Sequence, residues 1–212
     1  MLFLFPFYFF LFTFSFLLFP FYFCLSSFAF SLLSFMNKLH HNKLLIISGT
    51  GRNSGKTTLA CMIIEKFRNQ SPVAIKISPH FHEPGEGLEE ILSCNNYRIY
   101  RETVTKGNKD TSRMLRSGAV QAIYIQVYDE HVAEAFGKAT RDIPADIPVV
   151  CESPSLGRHI KPGMLFIADN ENIEIKKDIS SLLRKPDRTF YPLTAEPDIS
   201  NLAFSSGTWT LR

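Results

Sequence analysis

"KLLIISGTGRNSGKTTLACMIIEKF", residues 43–67, joins three kinds of sequence in 25 positions. Residues 43–48 are a short apolar run closed by glycine, which suits a buried parallel strand. After Thr57, the residues Leu59, Met62, Ile63 and Phe67 recur at helical spacing. Between the two lies a glycine-rich loop ending in Gly55-Lys56-Thr57. Strand, glycine-rich loop and helix in that order form the context in which such a loop cradles phosphate.

The chemistry expected of each position follows from its type. Backbone N–H groups of Gly49, Thr50, Gly51, Arg52, Asn53 and Ser54 can form an anion nest. The helix that opens on Lys56 adds unpaired donors and the positive end of its dipole. Gly55 lets the backbone approach phosphate without a Cβ in the way. Lys56 would reach the β- and γ-phosphates as a point charge and so is the first candidate catalytic residue. The Thr57 hydroxyl would ligate Mg²⁺, and Thr58 completes the phosphate-binding set.

The spacing of the glycines is unusual. The common pattern is Gly, four residues, then Gly-Lys-Thr or Gly-Lys-Ser, yet the residue five before Gly55 is Thr50. Gly49, one position earlier, fits a longer form, Gly-Thr-x-x-x-x-Gly-Lys-Thr, which resembles the loop of dethiobiotin synthetase and its relatives. That branch of P-loop proteins includes the cobyric acid synthases and the MobB GTP-binding proteins.

Three further stretches are similar to the MobB family, molybdopterin-guanine dinucleotide biosynthesis protein B. "AIKISPHFH" carries Lys76 at the end of a second strand, followed by His80 and His82. "NKDTSRMLRSGA" matches a family segment at Asp110, Thr111, Arg113, Gly118 and Ala119 without a gap. "IPVVCES" is an apolar strand ending in Glu152, with Ser153 where the family has glycine. The resemblance covers about residues 43–170 and implies that Lys76, Asp110 and Arg113 belong to the nucleotide site.

These residue types also have ordinary structural uses. A lysine at a strand end can reach solvent, histidines are common in polar loops, and an aspartate before a helix is a good N-cap. Mg²⁺ needs a further carboxylate at a strand end near the loop. Glu152 and Asp129 both qualify by pattern, and the resemblance favours Glu152, as metal ligand with Thr57 and as a catalytic group with Lys56.

Along the rest of the chain, "VAIKIS", "QAIYIQVYD", "IPVVCES" and "GMLFIAD" read as buried strands. "DTSRMLRSG", stopped by Gly118, and "EHVAEAFGKAT" read as helices. "LEEILS" reads as a short helical turn, and "NYRIYRETV" as strand or irregular. A last helix is expected in "IEIKKDISSLLRK". The expected fold is α/β: a three-layer P-loop NTPase with a mainly parallel sheet covered by helices on both faces.

The chain has 212 residues and a net charge of +3, without a Lys/Arg cluster, which argues against nucleic acid as a partner. The charge is unevenly spread: residues 1–37 carry none, and 14 of the 20 phenylalanines precede Met36. Such a stretch is long enough to span a bilayer but has no positive n-region for a signal peptide. Phe, Leu, Ser and Pro, all of which pyrimidine codons can encode, dominate it. We therefore expect Met36 to be the true start, with a membrane anchor as the rival reading. The four scattered cysteines suit buried reduced thiols and a cytoplasmic protein, tethered to the inner face of a membrane only if residues 1–35 are real. The expected organisation is residues 1–35 apart, 36–185 as the nucleotide-binding domain, and 186–212 as an irregular tail.

Two functions compete. One is a slow Mg²⁺-dependent GTPase of the MobB type, an adaptor in molybdenum cofactor biosynthesis. The resemblance implies a homodimer and a cofactor-biosynthesis enzyme as partner. The other is an ATP-dependent ligase or kinase like dethiobiotin synthetase, acting on a small carboxylate or carbamate. No Asn-Lys-x-Asp guanine signature is present, so GTP over ATP rests on the resemblance. A membrane-tethered nucleotide sensor would require residues 1–35.

Overall fold

Five of the strands expected from sequence lie side by side in one sheet. The computed structural model describes residues 40–51, 53–170 and 180–212. The Phe-rich stretch, Met36, Cys24, Arg52 and much of the expected last helix lie outside them. The elements run β1 (His40–Gly49), α1 (Lys56–Lys66), β2 (Val73–Ser78), β3 (Leu88–Ser93), β4 (Tyr97–Glu102), α2 (Asp110–Arg116) and β5 (Gln121–Val127). They continue with α3 (Val132–Thr140), β6 (Val149–Glu152), β7 (Lys161–Ala168), β8 (Arg188–Phe190), β9 (Leu202–Ser205) and β10 (Thr208–Leu211).

Eight strands form one sheet in the order β3-β4-β5-β2-β6-β1-β7-β8. The six from β5 to β8 are parallel, and β3 and β4 add an antiparallel edge. The protein is thus α/β with a large, mostly parallel sheet and few helices. Central strands flanked on both sides must be apolar on both faces, and β6, "VVCE", is buried at all four positions. Residues of alternate parity feed two apolar clusters. Leu45 and Ile47 of β1 meet Leu59, Ile63 and Ile64 of α1 and Met114 of α2. Leu44 and Ile46 meet Val132, Ala135 and Phe136 of α3.

Helix ends obey local rules. Gly118, at φ 111°, follows α2 in the left-handed region, and its N–H bonds to the Leu115 carbonyl at 3.0 Å. Among the described residues no helix is long and apolar enough to cross a membrane.

Three expectations need correction. "LEEILS" is not a helical turn but β3, which pairs antiparallel with β4. Its side chains are largely exposed, so backbone pairing rather than burial holds it as a strand. Residues 186–212 are not irregular. They supply β8, which extends the sheet beside β7, and the β9–β10 hairpin. The single tryptophan, Trp209, is buried between Phe67 and Phe204, and its Nε1 donates to the Lys43 carbonyl at 2.8 Å. Of the thiols, Cys151 is buried, Cys61 is half-buried and Cys94 is exposed rather than buried; these three are free.

Candidate functional site

Sheet register brings the charged residues together. Lys76 of β2 and Glu152 of β6 are paired positions in adjacent parallel strands, so their side chains leave the same face. That face is the one α1 covers, because Ile47 is the partner of Glu152 on β1 and belongs to the α1 cluster. The strand ends and the start of α1 therefore converge on one cavity of about 470 Å³. It is lined by Asn53, Ser54, Gly55, Lys56, Thr57, Thr58, Lys76, Asp110, Arg113, Glu152 and Leu193.

The loop is built by close approach. A Cβ on Gly49 would stand 2.5 Å from Ser54 Oγ, 2.8 Å from Lys56 Cδ and 3.0 Å from the Ala168 carbonyl oxygen. Gly49 is thus a steric requirement of the turn. Thr50 is buried and donates its hydroxyl to Asp169 at the end of β7. Asn53 takes a left-handed conformation, φ 57°, and Gly55 does so at φ 83°. Gly55 is the N-cap of α1 and offers no side-chain cap, and the first turn holds no acidic residue. The start of α1 thus turns the positive end of its dipole toward the cavity with no acidic side chain beside it.

Lys56 folds back over the loop, donating to the Gly51 carbonyl at 2.6 Å and to Ser54 Oγ at 3.0 Å. Thr57 Oγ1 lies 2.7 Å from Glu152 Oε2 and 3.0 Å from Asp110 Oδ1. A hydroxyl has one proton and can donate to only one of these carboxylates at a time. Lys76 bridges the same pair, bonded to Glu152 and 2.9 Å from Asp110 Oδ2. Burial alone would lower the Lys76 pKa, but the two carboxylates outweigh it and hold the ammonium above its ordinary value. Burial likewise would raise Asp110, yet the charge and hydrogen bonds of Lys76, with the Thr57 hydroxyl, hold it below the usual carboxylate range.

Of the two carboxylates considered for the metal, Glu152 reaches the cavity. Asp129 instead pairs with Arg158 at 3.0 Å and His159 at 3.3 Å. Asp110 is not an N-cap: Lys109 holds that position, and the Asp110 side chain turns to Thr57 and Lys76. Arg113 borders the cavity with a nitrogen 3.5 Å from Thr58 Oγ1. His80 is an exposed loop residue. His82 lines a second cavity of about 370 Å³ that shares Lys76 and Asp110 with the first, and its Nε2 is 3.3 Å from the Tyr124 hydroxyl. Ser153, in the place of the expected glycine, is buried, and its Oγ accepts from the Leu156 N–H at 3.0 Å. It serves a local turn.

Two contributors were not foreseen. Asp169 anchors the loop, and its place at the end of "GMLFIAD" was the available signal. Leu193 lies in the tail, where no periodicity marked it. No protein-family model matches the chain, and neither curated proteins nor solved structures gave a match.

Proposed function

We propose that the chain is a P-loop nucleoside triphosphate-binding protein with the three-layer arrangement of that fold. In this reading it is a slow Mg²⁺-dependent GTPase of the MobB type, an adaptor in molybdopterin guanine dinucleotide biosynthesis. One observation carries the nucleotide reading. The Thr57 hydroxyl, Glu152, Asp110 and Lys76 meet beside an uncapped helix N-terminus, within one cavity that also holds Lys56.

The donor set suits a hard cation. The Thr57 hydroxyl and the Glu152 and Asp110 carboxylates offer oxygens, and a single hydroxyl proton facing two carboxylates leaves one carboxylate oxygen to accept from elsewhere. Thr57 and Glu152 would hold Mg²⁺, which when bound would neutralise charge on the β- and γ-phosphates. Lys56 would leave the Gly51 carbonyl for the phosphates, and the loop N–H groups would fix their position. Asp110, held below the usual carboxylate range, is a weak base. Positioning and charge neutralisation, rather than proton abstraction by Asp110, would then be the chemistry of this site.

The second cavity supports the ligase or kinase reading. Because it shares Lys76 and Asp110 with the phosphate site, a small acceptor there would lie beside the γ-phosphate. Calorimetry with GTP and ATP, each with Mg²⁺, separates the two. Preferred GTP binding with slow phosphate release supports the adaptor. Preferred ATP binding, with turnover that requires a small carboxylate, supports the ligase. Failure to bind either would overturn the nucleotide reading.

A further inference from the structure

The turn that follows β8 is pressed against the phosphate-binding loop. In it the N–H groups of Thr194 and Ala195 both donate to the Tyr191 carbonyl at 3.0 Å. This compact turn carries Pro192 onto Gly55, where a Cβ would stand 2.7 Å from Pro192 Cβ and 3.0 Å from its Cγ. The next residue, Leu193, projects at the cavity and remains 55% exposed. The other lining residues are glycine, polar or charged. An exposed leucine at the rim of a polar cavity buries little in this state, so the fold itself gains little from it.

We propose that the Tyr191–Ala195 turn is the nucleoside rest of this site and that Leu193 supplies the apolar surface on which the base or ribose lies. The inference rests on the nucleotide reading and extends it to a residue outside the loop. A nucleoside triphosphate has two chemically distinct ends. Its phosphates require N–H groups and cations, which the loop, Lys56 and the start of α1 provide. Its nucleoside has apolar faces, and among the described lining residues Leu193 is the apolar side chain that can cover one. The contact of Pro192 with Gly55 fixes Leu193 next to the phosphate cradle, so one ligand can engage both.

The test compares inorganic tripolyphosphate with GTP and ATP, all with Mg²⁺, by calorimetry on the full chain. Tripolyphosphate carries the charge without the nucleoside. Leu193→Ser should weaken GTP and ATP roughly tenfold and leave tripolyphosphate unchanged, whereas Leu193→Met should bind all three as the wild type does. Lys56→Ala should lose all three. If Leu193→Ser binds GTP and ATP normally, or loses tripolyphosphate by the same factor, the nucleoside rest is wrong while the phosphate site stands. If the wild type binds none of the three, the nucleotide reading fails and takes this inference with it.

Discussion

The Thr50 hydroxyl donates to the Asp169 carboxylate, tying the start of the glycine-rich loop to the end of β7. Both residues are buried, and the Thr50 N–H also reaches the Ala168 carbonyl at 3.3 Å. The position where the common pattern has glycine is thus occupied by an anchor. Its φ is not positive, so the backbone does not demand glycine there. Glycine at that position, which would restore the common spacing, should therefore harm rather than help. Thr50→Gly and Thr50→Val should each cost about 1–3 kcal/mol, the usual loss when a buried charged acceptor is left short of a partner. Denaturant unfolding measures it, and a Thr50→Gly protein as stable as the wild type would contradict the anchoring role.

Gly49 has the opposite character. The atoms around its missing Cβ belong to Ser54, Lys56 and the Ala168 backbone, and the last of these cannot move without shifting β7. Gly49→Ala should cost about 1–3 kcal/mol by overpacking. It should also displace the loop, so triphosphate affinity should fall. An alanine variant with normal affinity and stability would show that the loop yields more easily than this geometry implies.

These two positions show how the site could be read from sequence. The loop, Lys76 and Glu152 are legible because each sits at a strand end or helix start that local pattern marks. Sheet register then carries Lys76 to Glu152 without further instruction. β3 and the tail are different: β3 exists because β4 lies beside it, and β8 because β7 does. Trp209 is fixed by a carbonyl 166 residues earlier, a partner no local window contains. Pattern alone left Glu152 and Asp129 equivalent; the fold puts Glu152 in the cavity and Asp129 with Arg158 and His159.

The tail can be tested as part of the core. Trp209→Ala removes an indole packed edge-on against Phe67, at 4.9 Å between ring centroids, together with its hydrogen bond to Lys43. The expected loss is about 3–5 kcal/mol. Leu211→Ala, at a more exposed position of the same strand, should cost well under half as much. Circular dichroism on thermal unfolding compares them. Equal small losses would return residues 200–212 to the status of an appendage.

Stability should fall in acid, partly through Asp110. Its folded pKa is depressed, so its contribution is complete above the unfolded value near ~3.9 and is lost as pH falls through the folded one. Lys76, with a raised folded pKa, contributes below its unfolded value near ~10.4 and loses that contribution as pH rises through the folded one. The difference in unfolding free energy between wild type and Asp110→Asn should therefore shrink below about pH 4. Urea titrations followed by Trp209 fluorescence would read it. A difference that stays constant from pH 7 to 3 would mean that the Asp110 carboxylate is not held by this cluster.

In the proposed Mg²⁺ reading Glu152 would carry the metal half of the site, and its environment lets that role be separated from folding. It is buried, paired with Lys76, and 2.7 Å from the Thr57 hydroxyl that would share the metal. Glu152→Gln keeps the shape and one acceptor oxygen but removes the charge that a divalent cation requires. Triphosphate affinity in EDTA should then be no weaker in the variant than in the wild type, because a negative charge facing the phosphates is removed. Added Mg²⁺ should tighten binding to the wild type at least tenfold more than to the variant, since a carboxylate is a far better Mg²⁺ ligand than an amide. Loss of the carboxylate also leaves Lys76 with Asp110 as its remaining anionic partner, so some stability will be lost. That loss appears equally with and without metal, whereas the role as a ligand appears only in the Mg²⁺-dependent increment. A variant that gains as much from Mg²⁺ as the wild type would remove Glu152 from the ligand set and leave Thr57 with Asp110 as the alternative pair.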